Sequence, residues 1–231
     1  MKISLVYNTA RLGGLDLLFE SIGAQTIPPE DFELIIVDDW YEQRKLTAYK
    51  DSLQLTHIPP KQTGVSYHNS AGFNTGLALA TGELVIFLVD FVWLPEDFLE
   101  RHWRFYKEHP GYSLSVYVDR YKYPPIMKSG KLSIFDGWFD RKYAERWFSD
   151  GNLIYQERKG GTLDHEIGHG VHEMPGGKIY MLGDSVPLAV MRELNGWDER
   201  YDGGYGSNDL DLAARCNMVG WKFAVDLIAP T

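Results

Sequence analysis

The chain has 231 residues, 44% of them hydrophobic, and a formal net charge of −9 at pH 7. This length suffices to bury a substantial core in one large domain or two small ones, and the acidic balance argues against nucleic acid as a general partner, because basic surfaces bind phosphate backbones. Cys216 is the only cysteine, which excludes an intrachain disulfide and a cysteine-based zinc cluster.

The first residues form a short apolar run, 3–7, that is better interpreted as a first strand than as a secretion signal. No segment approaches the roughly 20 apolar residues that a membrane-spanning helix requires. Together with the lone cysteine, these features predict a soluble, cytoplasmic protein without a transmembrane segment.

Strand and helix patterns alternate through the first half of the chain, as in parallel strands joined by crossover helices. The predicted strands are 3–7, 33–37, 53–58, 83–88 and 113–118. The predicted helices are one around 15–22 that Pro28 stops, a weaker one at 41–52, one at 66–80, and one that Pro95 opens and that carries Phe98, His102, Phe105 and Tyr106 on one face.

Regular patterns fail between residues 119 and 177, where many aromatic residues alternate with charged ones. Such a segment is too aromatic for a disordered linker. It is interpreted either as a short subdomain that packs its rings or as a platform that stacks on an acceptor sugar or another flat ligand. Regular patterns then resume, with strands predicted at 178–182 and 221–227 and helices at 186–194 and 209–219.

Acidic residues stand where the predicted strands end. Asp38 and Asp39 close the strand 33–37, and Asp90 follows the strand 83–88. Open α/β sheets bind ligands at the carboxyl ends of their strands, because the connecting loops diverge there and leave a crevice. We therefore expect a ligand-binding crevice at this edge of the sheet.

A glycine-rich loop leads into a second acidic cluster late in the chain. Gly203-Gly204-Tyr205-Gly206 precedes Asn208 and Asp209 at the start of a predicted helix. Such a loop can hold a carboxylate beside a substrate hydroxyl, as a general base requires. The alternative is that the helix macrodipole alone favours an acidic residue there. Asp211 is expected to bond locally, with Arg215 one turn later as its partner.

The order of these motifs resembles that of the family-2 glycosyltransferases, which have the GT-A fold. The resemblance covers most of residues 1–118 and 178–228. It implies a single α/β, Rossmann-like GT-A domain over 1–231, with a mostly parallel central sheet flanked by helices. In that domain, 1–118 bind the nucleotide sugar, 119–177 form an irregular, aromatic-rich insertion on the acceptor side, and 178–231 form the acceptor and catalytic part.

The resemblance also implies the ligands and the residues that bind them. The donor is expected to be a nucleotide diphosphate sugar, a UDP-sugar above all, and the acceptor a saccharide or another hydroxyl compound. Asp39 matches the residue that recognises the nucleotide base, and Tyr7 and Asn8 are expected to line the same pocket, with Asp38 structural. Capping by the aspartates and ordinary turn chemistry at the end of the first strand are the alternatives. Arg11 is expected either to contact a phosphate or to be solvated.

On the acceptor side, Asp209 matches the family's general base, and transfer by one base without an enzyme nucleophile implies inversion at the anomeric carbon. Gly204, Tyr205 and Asn208 are the expected acceptor-binding residues. Asn208 replaces the usual glutamate, which keeps a hydrogen-bonding group and removes a charge.

The family's Asp-x-Asp motif, which holds a divalent cation on the diphosphate, is altered in this chain. Val89-Asp90-Phe91 falls on it, so only Asp90 remains as a ligand for Mn²⁺, Mg²⁺ or the ribose, and contact with a backbone amide is the alternative. The loss argues against metal dependence. It also favours a second function, a nucleotide-sugar-binding protein with impaired catalysis.

The segment His165-Glu166-Ile167-Gly168-His169 matches the zinc-binding HExxH pattern of metallopeptidases. A zinc metallopeptidase is only a remote alternative, because the glycines around this segment oppose a stable helix and zinc needs a third protein ligand. The segment is otherwise interpreted as a polar loop over the cleft, or as a loop in which His165 or His169 contacts the diphosphate or a metal.

Overall fold

The computed structural model describes residues 1–11, 13–44, 46, 53–65, 68–116, 118–121, 153–157, 171–174, 183–204 and 206–226. The strands in this part of the chain are β1 (Ile3–Thr9), β2 (Phe32–Asp38), β3 (Leu55–Ile58), β4 (Leu84–Val89), β5 (Tyr112–Val116), β6 (Val118–Tyr121), β7 (Leu153–Glu157), β8 (Val171–Glu173), β9 (Asp184–Pro187) and β10 (Lys222–Asp226). The α-helices are α1 (Leu15–Gly23), α2 (Asn69–Leu79), α3 (Phe98–Glu108), α4 (Leu188–Glu193) and α5 (Asn208–Met218), and short 3₁₀ helices span Pro29–Asp31 and Glu199–Tyr201.

Five strands form the central sheet in the order β3-β2-β1-β4-β9. The first four are parallel, and β9 runs antiparallel to β4 at the edge. The chain moves outward from β1 to β2 and β3, then crosses back to place β4 on the other side of β1. Such a reversal of strand order opens a crevice at the carboxyl ends of the strands.

Helices cover both faces of this sheet, which explains why its inner strands are almost entirely apolar. Alternate residues of β1 face opposite layers: Leu5 and Tyr7 pack with α1 and α3, whereas Val6 packs with α2, α4 and α5. Trp197 fills the second layer, with its ring stacked 5.2 Å from that of Phe73.

A second sheet has the order β5-β10-β8, and β6 pairs with β7. The β5-β10-β8 sheet adjoins the central sheet where the hydroxyl of Ser185 in β9 contacts the backbone of Leu114 in β5 at 3.3 Å. A buried ion pair, Arg101 Nη1 to Asp226 Oδ2 at 2.5 Å, ties α3 to β10. In the described ranges, no helix is long and apolar enough to cross a membrane.

Three predicted elements differ from the structure. The helix expected from Pro95 begins at Phe98, because the Pro95 carbonyl accepts hydrogen bonds from Gln25 Nε2 and from the Phe98 amide instead of starting a regular helix. The helix predicted for 186–194 begins at 188, since 186 and 187 belong to β9 and pair with β4. The described start of the weak helix at 41–52 is a turn, and the strand predicted at 178–182 lies outside the described residues.

Candidate active site

The carboxyl ends of β1, β2 and β4 meet at one edge of the central sheet. In the register of the sheet, Asn8 lies beside Val37 on one side and Val89 on the other. The residues that follow these strands, Asp39 and Asp90 among them, therefore surround one crevice. This is the arrangement that the sequence predicts.

Asp38 lies at the end of β2 and is fully buried. Its Oδ1 atom accepts hydrogen bonds from Arg44 Nη1 at 2.9 Å and from the Trp40 amide at 2.8 Å, and its Oδ2 atom lies 3.0 Å from His57 Nε2. Arg44 also donates to the Arg11 carbonyl. Asp38 thus holds the loops around the crevice together and has no surface for a ligand.

Asp39, one residue later, has a different environment. Its amide donates to the Thr9 carbonyl at 3.0 Å, which fixes its backbone at the sheet edge, while its side chain stays 26% exposed. The Oδ1 atom lies 3.0 Å from Nε2 of His68, the residue that precedes α2. Sequence reasoning missed His68, because a single histidine in a loop carries no pattern.

Asn8 and Tyr7 differ in exposure, as Asp39 and Asp38 do. Asn8 is partly exposed and donates from Nδ2 to Asn69 Oδ1 at 2.7 Å. A Cβ atom at Gly72 would lie 2.4 Å from Asn8 Oδ1, so only glycine lets α2 approach this closely. Tyr7 points the opposite way, as alternate residues of a strand must, and is fully buried. Burial, with the Asp90 carboxylate nearby, raises the pKa of Tyr7. Tyr7 therefore lies in the core layer with α1 and α3, and its place in the lining of the nucleotide pocket stays a prediction.

Asp90 follows β4 and pairs with Arg11, which follows β1. Arg11 Nε donates to Asp90 Oδ2 at 2.8 Å, and the guanidinium lies 4.6 Å from the centre of the Phe91 ring. Burial raises the pKa of Asp90, and the hydrogen bond from Arg11 partly opposes that rise. Phe91 has a φ of 62°, and its ring contacts Gly14 so closely that an added Cβ there would lie 2.5 Å from Cδ1.

The crevice has two walls. The ends of β1, β2 and β4 form the first wall, and Asp202, Asn208 and Asp209 belong to the second. The two walls meet at the beginning of α2. The Asp202 carboxylate accepts hydrogen bonds from the amides of Ser70 at 2.8 Å and Ala71 at 2.9 Å. These are among the amides that a helix start leaves without intrahelical partners. Asn208 is buried, with Nδ2 lying 3.4 Å from the Ser70 hydroxyl. Sequence reasoning missed Asp202, whose one visible signal is its position directly before the glycine-rich loop.

Asp209 lies in the first turn of α5 and is partly exposed. Its Oδ1 atom accepts a hydrogen bond from the Leu210 amide at 2.9 Å. The loop before it turns sharply, with Ser207 at a φ of 73° and Gly204 exposed. Tyr205 lies outside the described residues, as do His165 and His169 of the HExxH segment.

Two further contacts fix this wall to the core. Arg215 Nε donates to Asp211 Oδ2 at 2.7 Å, which confirms the predicted pair, and Arg215 Nη1 donates to the carbonyls of Leu194 and Gly196. Asn74 of α2 accepts from the Trp197 amide at 2.8 Å and donates to its carbonyl at 2.9 Å. Gly196 and Trp197 therefore connect α2 with α5.

The described residues do not fit a divalent metal centre. Within those ranges, no group of three or more histidine, cysteine, aspartate or glutamate side chains is placed to hold a metal ion. Asp90, the one carboxylate left at the Asp-x-Asp position, already pairs with Arg11. Val89 and Phe91 contribute no ligand atom.

Comparisons with known proteins agree with this architecture. The profile of the family described as glycosyl transferase family 2 matches residues 3–171. Among curated proteins, validoxylamine A glucosyltransferase of Streptomyces hygroscopicus subsp. limoneus is 25% identical over 222 residues, which cover 91% of this chain and 46% of that protein. The enzyme of the same name from S. hygroscopicus subsp. jinggangensis is 26% identical over 230 residues, covering 95% and 51%. The chain spans about half the length of these relatives.

Solved structures share the fold at low sequence identity. TarS 1–349 of S. aureus superposes with a TM-score of 0.65 at 14% identity, over 100% of this chain and 59% of that one. The same protein with UDP-GlcNAc gives 0.63 at 15%, over 100% and 57%. The mannosyltransferase PcManGT of Pyrobaculum calidifontis, with GDP-Man and Mn²⁺, gives 0.57 at 15%, over 99% and 57%.

These superpositions confirm the predicted fold class, an α/β GT-A architecture with a mainly parallel central sheet. The family profile shows the family, since the residues that it matches are most of the chain and include the crevice formed by β1, β2 and β4. The chain belongs to glycosyl transferase family 2.

Proposed function

We propose that this chain transfers a sugar from a nucleotide diphosphate sugar, with UDP as the nucleotide, to a hydroxyl group of a saccharide or another acceptor, with inversion. Family membership supports sugar transfer. The complexes of TarS with UDP and UDP-GlcNAc support UDP as the first nucleotide to test. In this proposal the chain is one domain, with the donor bound by 1–118 and the acceptor met by 119–177 and 178–231, and it acts in the cytoplasm, where Cys216 stays a thiol.

One observation carries the proposal: the start of α2 touches both walls of the crevice. His68 contacts Asp39 on the donor side, and Ser70, two residues later, contacts Asn208 and the Asp202 carboxylate on the acceptor side. Asp39 and Asp209 therefore belong to walls that meet at a single helical turn. A donor and an acceptor held by those walls would lie side by side, as a direct transfer requires.

The chemistry that follows is a single displacement. The acceptor oxygen attacks the anomeric carbon, its proton passes to the Asp209 carboxylate, and the bond from that carbon to the diphosphate oxygen breaks. Attack and departure on opposite faces invert the configuration. Asp209 lies in the first turn of α5 with its carboxylate partly exposed, as contact with an acceptor requires.

The test is Asp209→Asn, which keeps the shape of the side chain and removes the base. We expect kcat for transfer from a UDP-sugar to fall about 100- to 10,000-fold, with the Kd for UDP unchanged in calorimetry. Asp198→Asn is the matched control, because Asp198 also follows a glycine-containing turn but pairs with the exposed Arg200. Equal loss of activity in both variants, or weaker UDP binding by Asp209→Asn, would show that Asp209 is not the base.

A nucleotide-sugar-binding protein with impaired catalysis is the second candidate. It is favoured by the Arg11–Asp90 pair, which occupies the carboxylate at the metal position. Binding of a UDP-sugar without transfer to any acceptor, and without hydrolysis to UDP, would support this candidate. Hydrolysis of the bound donor by the unmodified chain would exclude it.

A further inference from the structure

Val89 and Phe91, which replace the two aspartates of the Asp-x-Asp motif, are each packed against neighbouring residues. Val89 ends β4, and its partly buried side chain packs against the core layer that contains Phe87 and Trp197. Phe91 takes a left-handed conformation that L-residues rarely adopt, and its ring occupies the space above Gly14. Neither position offers an oxygen atom to a cation, and each side chain is fixed by its own packing.

The remaining carboxylate is already neutralised. The side chain of Asp90 is only 8% exposed, and its Oδ2 atom accepts a hydrogen bond from Arg11 Nε at 2.8 Å. The guanidinium of Arg11 thus already supplies the positive charge that a metal ion would bring to this carboxylate.

Arg11 meets the requirements for binding a diphosphate. It follows β1 at the crevice, its side chain is 54% exposed, and its backbone carbonyl is held by Arg44. Contact with Asp90 through Nε and stacking on the Phe91 ring at 4.6 Å orient the guanidinium plane. Arginine is always protonated, and its planar fork of N–H donors matches the oxygens of a phosphate group.

We propose that Arg11, oriented by Asp90 and Phe91, binds the diphosphate of the donor in place of a divalent cation, so that donor binding requires no metal. The inference rests on the proposed function. A fixed positive charge beside the leaving group stabilises the charge that develops as the bond to the anomeric carbon breaks. Asp90 is then a positioning residue for Arg11 rather than a metal ligand.

The experiment compares the binding of UDP and of uridine by calorimetry, in EDTA and in Mn²⁺, on the whole chain. We expect UDP to bind more tightly than uridine in EDTA, with less than a threefold change in its Kd on adding Mn²⁺. Arg11→Gln should weaken UDP binding about 10- to 100-fold, the range for a charged hydrogen bond, and leave uridine binding unchanged. Retained uridine binding shows that the variant is folded.

Arg200→Gln is the matched control, because Arg200 is an exposed arginine that pairs with Asp198 outside the crevice. It should change neither Kd. UDP binding that appears only with Mn²⁺, or equal weakening of UDP and uridine by Arg11→Gln, would overturn the inference while leaving sugar transfer intact. If neither UDP nor uridine binds under either condition, the proposed function fails and the inference fails with it.

Discussion

Two neighbouring carboxylates show how strongly environment decides the role of a residue. Asp38 and Asp39 are chemically identical, but Asp38 is enclosed by Arg44, Trp40 and His57, whereas Asp39 reaches the crevice beside His68. The prediction that acidic residues gather at the end of β2 follows from the apolar run before them. Which of the two faces a ligand depends on strand alternation and on partners far away in sequence.

Substitution should separate these two roles. Asp39→Ala is expected to weaken UDP and uridine binding to a similar degree, by about tenfold, because Asp39 is proposed to contact the nucleobase rather than the diphosphate. The free energy of unfolding of this variant should stay within about 0.5 kcal/mol of that of the unmodified protein. Asp38→Ala should lower the free energy of unfolding by about 3 to 5 kcal/mol, because it leaves the buried Arg44 guanidinium without its carboxylate partner. Urea denaturation and calorimetry measure the two effects. A severe loss of stability in Asp39→Ala would contradict the assignment.

The same physics separates Tyr7 from Asn8. Both residues lie at the end of β1 and are predicted to line the nucleotide pocket, but Tyr7 is buried whereas Asn8 is partly exposed and contacts Asn69 at the start of α2. The side chains of consecutive strand residues point to opposite faces. Sequence reasoning identified the strand end correctly but did not assign the face, which the packing of α1 against Tyr7 decides.

Among the elements, α2 depends most on the rest of the chain. Its amides at Ser70 and Ala71 are capped by Asp202, 132 and 131 positions away, rather than by a residue of its own N-terminal turn. A capping residue remote in sequence has no local signature, so sequence patterns predict the helix but not its cap. The parallel strands, in contrast, are predicted well, since burial on both faces leaves continuous apolar runs.

Removing this cap should destabilise the molecule and loosen the crevice together. Asp202→Ala is expected to lower the free energy of unfolding by about 1 to 2 kcal/mol, as for the loss of a helix cap. Asp198→Ala, four residues earlier, should change it by less than about 0.5 kcal/mol, because the partner of Asp198 is the exposed Arg200. Hydrogen bonds from Arg200 lower the pKa of Asp198 to about 2. Urea denaturation at pH 7 measures the free energy of unfolding of both variants. Equal stabilities would mean that Asp202 does not support α2.

At the scale of the whole molecule, Cys216 reports on cooperative unfolding. The thiol is buried in the layer between α5 and the sheet, and burial raises its pKa to about 12. A thiolate is the reactive form, so we expect a thiol reagent at pH 8 to label Cys216 at the rate of unfolding, and bound UDP to slow that labelling. Rapid labelling of the native protein, without effect of urea, would show that this layer opens locally.

The long span between Ser70 and Asp202 has a further consequence for synthesis on the ribosome. At the usual rate of about 5 to 20 residues per second, synthesis over the 132 positions from Ser70 to Asp202 takes a period on the order of 10 s. During that interval the first turn of α2 has no carboxylate to accept its amides. We therefore expect the start of α2 to reach its final hydrogen bonding only after residue 202 has left the exit tunnel.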